Sequence, residues 1–157
     1  MDRSSFRTLM VSALIIFGLA ALTSAQEVSG SIADGKITRA RKARATVVLD
    51  IPHDLHTNSN RPGSEYAIPT TVKVKPVGGV KIGPVVYPRG VNKKFEFSEK
   101  ALNIYEGRVE FTFDVTVLRS YRKPTVEIEV TVRSQACTTE VCYPPKSRTV
   151  TLTADVR

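Results

Sequence analysis

The stretch Arg108-Val-Glu-Phe-Thr-Phe-Asp-Val-Thr-Val-Leu118 alternates apolar and polar residues with a period of two. Val109, Phe111, Phe113, Val115 and Val117 fall on one side, and Glu110, Thr112, Asp114 and Thr116 on the other. Successive side chains of a strand project to opposite faces, so the pattern predicts a strand with one buried and one wet face. Pro124 introduces a second such strand, with Val126, Ile128, Val130 and Val132 inward and Glu127, Glu129 and Thr131 outward. A third runs from Thr149, setting Val150, Leu152, Ala154 and Val156 against Thr151, Thr153 and Asp155. Three consecutive strands with short connections predict an antiparallel meander at the C-terminal end.

Working back toward the N-terminus, weaker alternation marks strands over Ala45–Ile51, Thr70–Lys75 and Val85–Tyr87. Between them Pro52, Pro62-Gly63, Pro69, Pro76, Gly78-Gly79, Gly83-Pro84 and Pro88 mark turns or irregular edges. Proline cannot donate to a sheet ladder, and glycine supplies positive φ. No helical periodicity of useful length follows residue 25. About seven short strands in one unit predict an all-β fold, an immunoglobulin-like antiparallel β-sandwich over residues 26–157.

The first 25 residues read differently. Arg3 and Arg7 precede a nearly uncharged apolar run from Leu9 to Leu22, which ends in Thr23-Ser24-Ala25. A basic start, a short apolar run and a small-residue exit predict a secretory signal peptide cleaved after Ala25. The run is too short for a comfortable bilayer span, so no stable membrane insertion is expected after cleavage. The expected location is periplasmic or secreted.

The whole chain has 157 residues and a formal charge of +8, and loss of the signal leaves a surplus of about +7. With no tryptophan and only 7% aromatic residues, stacked platforms for nucleic acid are not expected. The basic run Lys36, Arg39, Arg41, Lys42, Arg44 reads as a solvated or frayed edge strand, protected by its charges against aggregation. His53 and His56 could supply two imidazoles to a metal, but no third ligand is evident, and a polar turn is the better reading. No cofactor is expected, and no phosphate loop or Ser/His/Asp order stands out.

The sharpest local feature is Cys137-Thr-Thr-Glu-Val-Cys142-Tyr143-Pro144-Pro145, lying between the last two expected strands. Export would place both thiols in an oxidising compartment. A bridge closing so short a loop removes little unfolded-state entropy, about 2 kcal/mol, against about 4.7 for a 100-residue loop. It is a weak staple, and a pair near a loop suits thiol exchange. Spacing alone leaves a hairpin clamp and a redox couple both open, with a metal site the poorest case. Lys146, Arg148 and Arg133 would favour a thiolate there, and Glu140 would oppose it.

The segment from Val132 through Cys137 and Cys142-Tyr-Pro-Pro145 to the strand at Thr149 resembles the redox motif of the periplasmic N-terminal domain of thiol:disulfide interchange proteins of the DsbD family. Upstream, Tyr87-Pro-Arg-Gly-Val91, Phe95-Glu-Phe97 and Ile104-Tyr-Glu-Gly-Arg108 are similar to that family's cap loop and the strand after it. The resemblance implies an immunoglobulin-like sandwich that relays electrons from a thioredoxin-like or membrane-embedded donor to periplasmic disulfide oxidoreductases. It implies that Cys142, beside Tyr143 and Pro144, forms the mixed disulfide and that Cys137 resolves it. Phe97 would be the cap residue shielding the pair, with Glu96 as its acidic neighbour. Four residues separate the cysteines where familiar members have five, and the cap carries one acidic residue where they carry two. Where such members place flanking tyrosines, this chain has His56 and Asn58. The sequence shows neither a multi-span membrane domain nor a thioredoxin-like domain, so the expected exchange is with separate proteins. The competing expectation is a non-catalytic binding or structural domain of the same fold with a hairpin disulfide.

Overall fold

A computed structural model describes residues 26–157, and the expected signal peptide lies outside the described residues. Strands follow one another as β1 (Glu27–Ile32), β2 (Lys36–Ile37), β3 (Lys42–Asp50), β4 (His56–Asn58), β5 (Thr71–Val74), β6 (Val80–Ile82), β7 (Val91–Lys93), β8 (Leu102–Tyr105), β9 (Arg108–Val117), β10 (Thr125–Ser134), β11 (Ala136–Cys137) and β12 (Lys146–Val156). No helix occurs among the described residues. Two four-stranded sheets, ordered β1-β3-β9-β6 and β2-β12-β10-β5, form an immunoglobulin-like β-sandwich. A third small sheet, β11-β4-β8-β7, carries the cysteine segment.

The three strongest alternating segments form β9, β10 and β12, and their apolar sides face inward. Phe111, Phe113, Val115 and Val117 of β9 are buried, as are Val126, Ile128, Val130 and Val132 of β10 and Leu152 and Ala154 of β12. They meet in one core with Ile32, Val47 and Leu49 from β1 and β3. Burying each large apolar side chain contributes about 1.5–3 kcal/mol, so this shared face dominates the stability of the sandwich.

The expected C-terminal meander does not form. β9 lies in one sheet and β10 in the other, and only β10 and β12 pair as a hairpin, from Thr125↔Asp155 to Ser134↔Lys146. Alternation reports which face of a strand is buried, not which strand lies beside it. Residues 118–124 are long enough to cross the roughly 10 Å between packed sheets. Buried Tyr121 fixes the crossing: its hydroxyl donates to Thr125 O at 2.9 Å, and Arg39 Nε donates to its carbonyl at 3.0 Å.

Two further expectations change. Val85–Tyr87, flanked by Pro84 and Pro88, makes only a single bridge, Val86↔Thr112, instead of a strand. Between that bridge and Ile82↔Val115 the edge has one residue more than β9, a bulge at Gly83-Pro84 where proline withholds a donor. The antiparallel rule also has one exception, since β2 pairs in parallel with β12. In the basic run Lys36, Arg41, Lys42 and Arg44 are exposed, whereas Arg39 is half-buried against Tyr121. Lys36 stands on edge strand β2, and Lys42 and Arg44 occupy the end of β3 that runs beyond its β1 pairing. Asp114 on β9 faces both, 3.0 Å from Lys42 and 4.0 Å from Arg44.

Candidate functional site: a cysteine pair at the small third sheet

The β10–β12 ladder stops at Ser134↔Lys146 because the chain changes sheets there. After Gln135, β11 pairs with β4, setting Ala136 opposite Thr57 and Cys137 opposite His56. Pro144 and Pro145 occupy the two positions before β12, where the absent N–H groups would otherwise extend the ladder.

Cys137 and Cys142 form a disulfide, with an S–S distance of 2.02 Å and Cα atoms 4.0 Å apart. The turn between them has its own hydrogen bonds. Thr138 N donates to Val141 O at 2.8 Å, Thr138 Oγ1 accepts from Val141 N at 3.0 Å, and Tyr143 N donates to Ala136 O at 2.9 Å. The turn is therefore specified by backbone and threonine contacts as well as by the bridge. The two sulfur-bearing residues have unequal surroundings: Cys137 is 1% exposed, whereas Cys142 is exposed and lines a cavity of about 690 Å³.

The same cavity is lined by Tyr66, Phe97, Leu102, His56 and Asn58. Phe97 is 51% exposed and stacks on buried Phe95 at 5.1 Å, and Phe95 stacks on His56 at 4.4 Å. Phe95 also packs with Leu102 and Ile104 in a second, smaller core under the cap loop. Lys94 Nζ ties that loop by donating to the carbonyls of Ser98 and Glu99. Thus Phe97 shares the cavity with Cys142, while Glu96 is exposed and does not line it. Tyr143, 49% exposed, and Pro144 lie on the open surface beside Cys142.

His56 is 3% exposed, and burial holds its imidazole below the ordinary value of 6.5. The Glu106 carboxylate opposes that shift and the Lys93 ammonium adds to it. The polar-turn reading holds for His53, which is exposed beside Asp54, but not for His56, which is a buried strand residue. Among the described residues no group of three or more His, Cys, Asp or Glu side chains is placed to hold a metal ion.

Part of the cavity lining carries no motif in the sequence. Glu65 and Tyr66 reach it from the loop after β4, which Asn58 Nδ2 holds by donating to Ile68 O at 3.1 Å. Thr70 Oγ1 fastens the same loop by donating to Asn58 O at 2.6 Å. The available signal was the long strand-free interval between Pro62 and Pro69.

No helix among the described residues is long and apolar enough to cross a membrane. No curated protein matches the sequence. Among solved structures, a family 123 glycoside hydrolase from Clostridium perfringens is 11% identical with a TM-score of 0.35; the match covers 83% of this chain and 27% of that one. The collagen-binding subdomain ACE19 of the Enterococcus faecalis surface protein ACE is 10% identical with a TM-score of 0.29, over 83% of this chain and 95% of that one. Residues 31–154, nearly all of the described sandwich with its cysteine segment, match the family described as thiol:disulfide interchange protein DsbD, N-terminal, and the chain belongs to that family.

Proposed function

We propose that this is an exported thiol–disulfide exchange domain. It would relay electrons through Cys137 and Cys142 between a thioredoxin-like or membrane-embedded donor and periplasmic disulfide oxidoreductases. Membership of the DsbD N-terminal family implies thiol–disulfide exchange and a periplasmic setting. The observation that carries the finer reading is the unequal exposure of the pair. An attacking sulfur must be reachable in line, and Cys142 opens on a cavity while Cys137 is covered.

In the reduced pair, the Cys142 thiolate attacks a partner disulfide and expels one partner thiolate. Cys137 then attacks Cys142 Sγ, breaks the mixed disulfide and releases the second partner sulfur. Two electrons and two protons leave the pair, and the Cys137–Cys142 bond re-forms. The hydrogen-bonded Thr138–Val141 turn supports this cycle by keeping the thiols close when the bridge is open.

The test is the reduction potential, measured by equilibration with glutathione and dithiothreitol buffers. A potential above about −300 mV is expected for an exchanging pair. A bridge that resists reduction well below that value would make it a hairpin clamp and end the proposal.

A further inference from the structure

Cys137 must ionise to close the disulfide, yet it is 1% exposed. Burial in apolar surroundings disfavours a thiolate, and water has little access to receive the proton. Directly across the β11–β4 ladder stands His56. Opposed residues of an antiparallel pair project to the same face with Cβ atoms about 4.5–5.5 Å apart. His56 is itself 3% exposed, and its ring stacks on Phe95 at 4.4 Å. It also lines the cavity onto which Cys142 opens. A nearly buried imidazole thus stands across the ladder from a buried thiol that must lose a proton, and it reaches the cavity through which that proton can leave.

The surrounding charges hold that imidazole in a receptive form. Extending the β4–β8 register, Thr57↔Tyr105, by one step sets Glu106 opposite His56. Glu106 pairs with Lys93 of β7 at 2.8 Å. The Phe95 ring, uncharged, covers His56 from the cap loop, and Glu65, Glu99 and Lys100 stand on the cavity wall.

We propose that His56 accepts the proton of the Cys137 thiol in the ring-closing step of exchange. This rests on the exchange function proposed above. The Cys137 S–H bond breaks as a His56 N–H bond forms, and the Cys137 sulfur attacks Cys142 Sγ. The bond from Cys142 to the partner sulfur breaks, that sulfur leaves with the electron pair, and the imidazolium proton passes to it or to solvent. The pair is oxidised by two electrons and the partner disulfide is reduced. In the reverse direction the imidazolium protonates Cys137 as it leaves.

The reduced protein is mixed with an aromatic disulfide that releases coloured thionitrobenzoate. Attack by Cys142 releases the first equivalent, and ring closure by Cys137 releases the second. His56→Gln is expected to slow the second phase about 10²-fold at neutral pH while leaving the first within about twofold. The wild-type second phase should rise with pH through an inflection below the ordinary histidine value, and His56→Gln should lose that inflection. Glu106→Gln, an exposed change that keeps the ring, should move the inflection to lower pH, which a merely structural histidine would not do. An unchanged second phase in His56→Gln, or an inflection that Glu106→Gln does not move, overturns the assignment while leaving exchange itself standing. A wild-type protein that releases no second equivalent overturns both.

Discussion

At the cysteine pair the same chemical group sits in two environments, and that difference sets two expectations. With Cys137→Ser, the exposed Cys142 should accumulate a mixed disulfide with a thioredoxin-fold partner, detectable as a reducible adduct on non-reducing gels. Cys142→Ser should give little adduct, because Cys137 is covered; equal trapping by both variants would refute the division of roles. Phe97 presents half its surface to solvent and shares the Cys142 cavity. Phe97→Ala should therefore raise the alkylation rate of the reduced pair several-fold, whereas an unchanged rate would make Phe97 an ordinary rim residue. The cysteine pair and the place of Phe97 near it were legible because a gap of four residues and a short aromatic motif are local signals. Tyr66 was not, since it reaches the cavity only through a loop fastened by Asn58 and Thr70.

The strands that could be read are those long enough for alternation to accumulate, and β9 and β10, each 10 residues, are the clearest. β4 has only three residues and all are buried, so no alternation marks it, yet it carries His56 opposite Cys137. Periodicity is also silent about neighbours, which is why β9 was expected beside β10. β1 was missed for another reason: it is short of large apolar residues, and Gly30 sits where bulk would be excluded. A Cβ at Gly30 would lie 2.5 Å from Thr46 O and 2.8 Å from Leu152 Cδ2, so this glycine lets β1 approach both β3 and the opposite sheet. Gly30→Ala should lower unfolding stability by about 1–3 kcal/mol in urea titrations, the range for overpacking. A loss under about 0.5 kcal/mol would mean that β1 yields without resistance.

The proposed exchange requires the whole molecule to remain folded in both states of its disulfide, and the distribution of the core bears on that. The large apolar cluster joins β1, β3, β9, β10 and β12, whereas the pair belongs to the small third sheet with its separate Phe95, Leu102 and Ile104 core. Opening the bridge therefore removes no contact between the two main sheets. The closed loop is short, and its contribution through chain entropy is about 2 kcal/mol. Replacing both residues by alanine avoids leaving a buried hydroxyl at position 137 and so isolates the cross-link. The Cys137→Ala/Cys142→Ala protein should lose about 2 kcal/mol in urea unfolding, keep one cooperative transition and retain its far-ultraviolet circular dichroism. A loss of about 4 kcal/mol or more, or a broad non-cooperative transition, would show that the bridge holds the sandwich together and that its opening could not be part of a repeating cycle.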